Sequence, residues 1–532
     1  MIAGEALIKL LEKYGVDTVF GIPGVHTLDI YRGLPSSGIK HVSVRHEQGA
    51  GFAADGYARV TGKPGVCLII SGPGVTNITT PLGQAWADSI PMLVISSDNP
   101  LESQGKGYGL LHEVTDLAAV TAPLTAFSAT AKTAADIPIL IGKAYESFAT
   151  QRPRPVHLVI PTDVLAEDVS EEWDAVVPEP RPKPAVGLVD QAVDLLTQAE
   201  RPLILLGGGA IGASEPVIAL AERLPAKVIA TNNGRGIVPD NHPLNAGGVV
   251  SRPAGHDLVA SADVILAIGT EMADTDSYID EYSINGKIIR VDIEAAQFER
   301  MYPTEVGIEA DASQTVEAIL AKVKVSHSQN EKLETFADEI SETKQRVASE
   351  LSQSEQVHQK LLTAIQAALP PDGIGIADMC GLGYTATGLW EAHAERKWHY
   401  PGGYCTLGPS LPMGVGAKLA LPDEPVVVMV GDAGFQFTLP ELATAYEQKL
   451  ALPIVIWNNQ GLGAIEGHMN DYGVELSAVD YADGNPDFVA LAKAYHCHGV
   501  QPQSLDELTQ AVKDALAADR PTVIDVWENV DW

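Results

Sequence analysis

Short runs of consecutive, largely apolar residues recur along this sequence: Val66-Cys67-Leu68-Ile69-Ile70, Met92-Leu93-Val94-Ile95, and others at 203–206, 228–230, 264–268, 288–291, 374–377, 426–430, 453–457 and 522–526. A strand that is apolar on both faces must be covered on both faces. Such strands, separated by segments of helix length, dictate parallel sheets between layers of helices, not antiparallel sheets with one wet face.

At about 150 residues per domain, a chain of 532 residues has room for three or four cores. The runs fall into three blocks, residues 1–170, 185–325 and 355–532. Pro178, Pro180, Pro182 and Pro184 separate the first two, and their alternation excludes helix and central strand. A polar, charged, helix-prone stretch at 322–360 leads into the third. The expected fold class is α/β, with three doubly wound parallel-sheet domains.

Charge narrows the partners. The 69 Asp+Glu against 35 Lys+Arg give a net charge of −34, which repels phosphate backbones and anionic bilayers, so neither nucleic acid nor membrane is expected. Cys67, Cys380, Cys405 and Cys497 are too few for a disulfide framework and suit a reducing compartment. No run approaches the roughly 20 apolar residues of a membrane span. The N-terminus enters directly into an amphipathic helix carrying Ile2, Ala6, Leu7, Leu10 and Leu11 on one stripe. A cytoplasmic, unprocessed protein is expected.

The most specific motif lies in the third block. The apolar strand at 426–430 runs into Gly431-Asp432-Ala433-Gly434, a helix is expected from Pro440, and a second strand ends in Trp457-Asn458-Asn459-Gln460-Gly461. Asp432 and Asn459 are 27 residues apart, one strand-helix-strand unit, which puts both at the carboxyl ends of neighbouring parallel strands, where α/β sheets bind ligands. Asp432, the Asn459 side-chain oxygen and a backbone carbonyl near Gly461 supply oxygen donors for half of a Mg²⁺ octahedron that ligand phosphates would complete. Gly431 and Gly434 let backbone N–H groups approach a diphosphate. Read alone, Gly-Asp-Ala-Gly is a common turn; the paired asparagines at this spacing favour the metal reading.

These motifs resemble those of the thiamine diphosphate-dependent enzymes, in the acetolactate synthase-like, pyruvate oxidase and 2-oxo acid decarboxylase branch. The resemblance extends over nearly the whole chain. It includes Phe20-Gly21-Ile22-Pro23-Gly24, Arg45-His46-Glu47-Gln48-Gly49-Ala50, Ser71-Gly72-Pro73-Gly74-Val75-Thr76-Asn77, Arg201-Pro202 and Leu407-Gly408-Pro409-Ser410. Ala433 departs from the family's Gly-Asp-Gly, which is tolerable if φ there is negative. The resemblance implies pyrimidine-binding, central Rossmann-like and diphosphate-binding domains, in that order. It implies that Glu47 hydrogen-bonds N1′ of the aminopyrimidine and favours the imino tautomer that deprotonates the thiazolium, a role that needs a carboxyl group in an apolar wall. It further implies cofactor contacts at Pro23, Asn77, the Cys405 carbonyl, Leu407 beneath the bent cofactor, Gly431, Asp432, Ala433, Gly434, Asn459, Gly461, Leu462 and Gly463, with Asp432, Asn459 and Gly461 holding the metal. A homodimer is its minimum assembly and a homotetramer the expected one. Gly207-Gly208-Gly209-Ala210-Ile211-Gly212 is formally a dinucleotide fingerprint, but the next strand ends in Thr231-Asn232-Asn233, without the required acid. It reads as strand-helix packing, and no FAD is required.

Substrate choice is sought in two stretches. Leu110-Leu111-His112-Glu113 stands where acetolactate synthases carry Phe-Gln-Glu. His112 would face the reacting carbon and deliver a proton, which separates a decarboxylase from a carboligase. Glu466, in Ala464-Ile465-Glu466-Gly467-His468, would orient a donor or recognise a cationic tail, with a plain surface carboxylate as its other reading. Val25, His26, Ile70 and Ile465 are expected pocket-wall positions. His496-Cys497-His498 sits at a helix C-terminus, where histidine is favoured, and reads as structural. The expected activity is thiamine diphosphate- and Mg²⁺-dependent, non-oxidative decarboxylation of a 2-oxo acid, a guanidino- or amino-substituted one included, to an aldehyde and CO₂. The alternatives are an acetolactate synthase-like carboligase and, from another class, a non-catalytic partner subunit.

Overall fold

A computed structural model describes residues 1–324 and 329–532. The strands are β1 (Thr18–Gly21), β2 (Lys40–Ser43), β3 (Gly65–Ile69), β4 (Met92–Asp98), β5 (Phe127–Thr130), β6 (Val156–Pro161), β7 (Pro202–Leu206), β8 (Lys227–Ala230), β9 (Val264–Ile268), β10 (Lys287–Asp292), β11 (Val306–Glu309), β12 (Ile374–Ala377), β13 (Trp398–His399), β14 (Val426–Gly431), β15 (Pro453–Asn458), β16 (His498–Val500) and β17 (Thr522–Trp527). Every named pairing is parallel, as the runs of apolar residues require. The chain belongs to the three-domain α/β class.

The described chain forms two compact units. One comprises residues 1–180, 404–501 and 514–527, and contains the sheet β2-β1-β3-β4-β6-β5 together with the strands β14-β15-β17-β16. The other comprises residues 181–403, 502–513 and 528–532 among those described, and contains the sheet β11-β10-β9-β7-β8 and the pair β12-β13.

The first sheet shows why its strands are apolar throughout. Val66 and Leu68 of β3 enter a cluster with Leu7, Leu10 and Leu11 of the helix Ala3–Lys13, whereas Cys67 and Ile69 point to the opposite face and pack with Phe20, Ala50, Ala53 and Ala54. Both faces are therefore core. The chain passes from β1 to β2 on one side and from β2 back across to β3 on the other, so the carboxyl ends of β1 and β3 flank a topological switch point. Pro23 follows one end and Ile70 the other, which explains how positions 47 residues apart line one crevice.

Within the same unit, the helix Glu47–Thr61 packs closely on the helix Ser410–Ala420. A Cβ on Gly56 would lie 2.1 Å from the Met413 carbonyl oxygen, and one on Gly416 would lie 1.8 Å from that of Ala53. Glycine at both positions lets the two backbones meet.

The expected order after β14 needs one change. A helix, Asp432–Thr438, starts at the metal motif itself, and a second, Glu441–Glu447, follows where one was expected from Pro440. Ala433 is accordingly helical and replaces glycine without strain. No described helix is long and apolar enough to cross a membrane.

Candidate active site

Glu47 is the first residue of its helix and is 7% exposed. His46, in extended conformation, caps the helix: its Nδ1 accepts from the Gln48 N–H at 3.1 Å. Arg45 does not pair with Glu47; its guanidinium binds Glu447 at 2.5 Å. Glu47 Oε2 instead accepts from Asn77 Nδ2 at 2.9 Å. Oε1 takes no hydrogen bond from the described residues and faces Gly74, where a Cβ would lie 3.4 Å away. Ile70, itself 7% exposed, closes the apolar side of the cleft: its side chain lies 2.9 Å from the Cβ position of Gly74 and 2.5 Å from that of Gly24. A carboxyl oxygen without a donor, beside Gly74 and Ile70, is what an N–H of a bound heterocycle requires.

Two histidines join this wall through a serine. Ser71 Oγ is 2.7 Å from His26 Nδ1 and 3.5 Å from His112 Nδ1, and the two rings meet edge to face with centroids 5.6 Å apart. One hydroxyl proton cannot serve both nitrogens, so if Ser71 donates to one ring it accepts from the other, and the tautomers are linked. Burial, and secondarily His112, lower the proton affinity of His26. His112 has φ +61°, a left-handed conformation that costs a non-glycine residue on the order of 1 kcal/mol. It packs on Gly72, whose Cβ position is 2.8 Å from His112 Cβ. Val25, by contrast, is solvent-exposed at the rim.

The second set of residues gathers at the carboxyl ends of β14 and β15. Asp432 is 1% exposed, and burial raises its proton affinity against the opposing effect of hydrogen bonds from Asn485 and the local backbone. Asn485 Nδ2 donates to Asp432 Oδ2 at 2.5 Å and is itself bonded through Oδ1 to Gln436 Nε2 at 2.9 Å. The Asn459 amide oxygen lies 3.1 Å from Asp432 Oδ1 and 2.9 Å from the Gly461 carbonyl oxygen. Turned over, the amide would donate to both, the arrangement suited to a protein binding nothing there. With the oxygen inward, Asn459 stands from Asp432 Oδ1 and from the Gly461 carbonyl oxygen at the spacing of adjacent corners of a Mg²⁺ octahedron, about 3 Å for metal–oxygen bonds of about 2.1 Å. The donor set therefore fits a hard cation.

The paired asparagines divide their work: Asn458 Nδ2 holds Asp525 of β17 at 3.0 Å, which leaves Asn459 for the site. Gly463 leaves room for its amide, since a Cβ there would lie 2.4 Å from Asn459 Nδ2. Leu462 N–H is tied to the Val479 carbonyl at 2.8 Å. Cys405 is exposed with φ +54°, Leu407 is half-buried, and Gly408, at φ +83°, packs against the Gly434 carbonyl. Ile465 and Glu466 lie exposed on the helix Gly463–Asp471, which buries no residue.

The structure thus assembles Pro23, His26, Glu47, Ile70, Asn77 and His112 at one place, and Gly431, Asp432, Ala433, Gly434, Asn459, Gly461, Leu462 and Gly463 at another. Sequence reasoning missed Ser71 as a bridge, although Ser71-Gly72-Pro73-Gly74 was in view. It also missed Asn485, which no motif marks.

Comparison with known proteins finds matches along most of the chain. Residues 1–120 match the thiamine pyrophosphate enzyme N-terminal TPP binding domain, residues 189–319 the central domain, and residues 380–526 the C-terminal TPP binding domain. Over 527 residues, 98% of this chain and 93% of the relative, the sequence is 46% identical to a probable 2-ketoarginine decarboxylase of Pseudomonas aeruginosa. It is 32% identical over 555 residues to the acetolactate synthase large subunit of Corynebacterium glutamicum, covering 99% of this chain and 86% of the relative. A probable acetolactate synthase large subunit of Methanococcus aeolicus is 31% identical over 558 residues, 99% of this chain and 92% of its own. The Glu47 cleft and the Asp432 cluster lie within the two matched cofactor-binding domains, and the chain belongs to the thiamine pyrophosphate enzyme family.

Proposed function

We propose that this enzyme decarboxylates a cationic 2-oxo acid, 2-ketoarginine or a close analogue, to CO₂ and an aldehyde one carbon shorter. The observation that carries this reading is the 46% identity, across 98% of the chain, to a probable 2-ketoarginine decarboxylase. Thiamine diphosphate, when bound, supplies a carbon nucleophile and the electron sink for departure of the carboxylate. Glu47 would share a proton at N1′ of the aminopyrimidine through Oε1, with Asn77 holding the other carboxyl oxygen. Asp432, Asn459 and the Gly461 carbonyl would hold a Mg²⁺ ion that binds the diphosphate. His112, with Ser71 and His26 behind it, delivers the proton that replaces CO₂ on the substrate carbon: R–CO–COO⁻ plus H⁺ gives R–CHO and CO₂. Glu466 offers a carboxylate to the guanidinium tail.

The Glu47 half-site and the Asp432 half-site would meet across a homodimer, one chain giving each, with a homotetramer as the larger assembly. Val25, Leu28, Leu111, Phe437 and Ile465 are large apolar residues exposed around the two sets, the surface a partner subunit would cover. The enzyme would work in the cytoplasm on a small-molecule substrate.

The competing reading, a carboligase, draws on the acetolactate synthase relatives; His112, which the resemblance sets where acetolactate synthases have the glutamine of Phe-Gln-Glu, favours protonation. Purified enzyme with thiamine diphosphate and Mg²⁺ should release CO₂ from 2-ketoarginine and form 4-guanidinobutanal. Glu47→Gln should lower turnover roughly 10²- to 10⁴-fold while binding the cofactor normally. Absence of CO₂ release from the wild type, or full activity in Glu47→Gln, would refute this function.

A further inference from the structure

Glu441 has no part in the chemistry described so far, yet its carboxylate is 2% exposed and reaches back to the residues just before Glu47. Its Oε1 accepts from the Arg45 N–H at 3.0 Å and the His46 N–H at 3.0 Å; Oε2 accepts from the Arg45 N–H at 3.2 Å and from Thr444 Oγ1 at 2.6 Å. Gly49, on the first turn of the Glu47 helix, makes the approach possible, since a Cβ there would lie 2.2 Å from Glu441 Oε1. The Arg45 guanidinium is engaged with Glu447, so peptide N–H groups and one hydroxyl carry the solvation of this buried carboxylate. Glu441 opens the helix that follows Asp432–Thr438, so one carboxylate joins the segment bearing the metal donors to the segment bearing Glu47.

We propose that Glu441 is a positioning residue for Glu47: by gripping the two peptide groups that precede it, the Glu441 carboxylate fixes the start of the Glu47 helix and aims Glu47 Oε1 into the cleft. This rests on the role given to Glu47 above. The hydrogen bonds to Arg45 and His46 set the backbone, Asn77 sets the side chain, and the loss of either lets the carboxyl group turn from the ring. Misplacement of a reacting group by about 1 Å costs on the order of 10²-fold in rate, so an intact fold does not protect the function.

The test uses full-length Glu441→Gln and, as a milder change, Thr444→Val, each first shown to unfold cooperatively. Hydrogen–deuterium exchange of the cofactor-free protein should show the amides of residues 45–48 exchanging faster in both variants than in the wild type. In the holoenzyme, exchange of the thiazolium C2 proton should slow by roughly ten- to a hundredfold in Glu441→Gln, less in Thr444→Val, with thiamine diphosphate affinity unchanged. If folded variants lose thermal stability but exchange the C2 proton at the wild-type rate, Glu441 is only structural and the proposal is overturned. A wild type that does not accelerate C2 exchange over free cofactor would overturn the role of Glu47 itself, an outcome distinct from the first because it needs no variant.

Discussion

Glu47 is held by Asn77 and His112 lies beside Ser71, and in the proposed reaction this difference in partner would separate their tasks. A carboxyl group with one oxygen bonded and one bare shares a proton with a ring nitrogen. An imidazole linked through a hydroxyl to another imidazole can pass a proton outward. His112→Phe should therefore leave CO₂ loss largely intact but shift product from aldehyde toward ligated hydroxyketone, read by mass spectrometry of the product mixture. An unchanged aldehyde yield would show that another group is the acid. Glu47 and Asp432 were legible in the sequence because each sits in a contiguous motif. Glu441 and Asn485 were not: their partners lie 395 and 53 residues away in the chain, and no local pattern records a tertiary hydrogen bond.

At the scale of elements, the two helices that meet through glycine connect the first sheet to the strands carrying Asp432. Gly56→Ala would drive a methyl group into the Met413 carbonyl and should destabilise the protein by about 1–3 kcal/mol, measurable as a lower denaturation midpoint. A second feature is His157 on β6, fully buried with Ser96 Oγ at 2.8 Å, Thr121 Oγ1 at 2.7 Å and Ser128 Oγ at 3.2 Å. Burial lowers its pKa to about 3, whereas the unfolded value is about 6.5. Between those values the unfolded state binds the extra proton, so stability is present above pH about 6.5 and is lost as pH falls toward 3. His157→Gln should flatten that acid limb relative to the wild type in pH-dependent thermal melts. The apolar strands β3, β4, β9, β14, β15 and β17 were readable from composition alone, because both of their faces are core. β1, β5, β6 and β11 were not singled out, nor were β2, β13 and β16: Lys40–Ser43 and His498–Val500 are polar or exposed edge strands, and Trp398–His399 is two residues long.

For the whole molecule, the motifs around Glu47, Asp432 and Asn459 resemble those of one family, and the matches to its three domains agree. The reaction outcome is a finer matter than the fold, because relatives named decarboxylase and acetolactate synthase both align along nearly the full length of the chain. What separates them is which proton or carbonyl compound reaches the substrate carbon after CO₂ leaves, and which tail the pocket accepts. The most direct test is a competition: holoenzyme incubated with equal concentrations of pyruvate and 2-ketoarginine, with products resolved by mass spectrometry. The account predicts 4-guanidinobutanal as the dominant product, with little acetolactate. Acetolactate or a mixed hydroxyketone as the main product, with 2-ketoarginine left unconsumed or used only as acceptor, would contradict it.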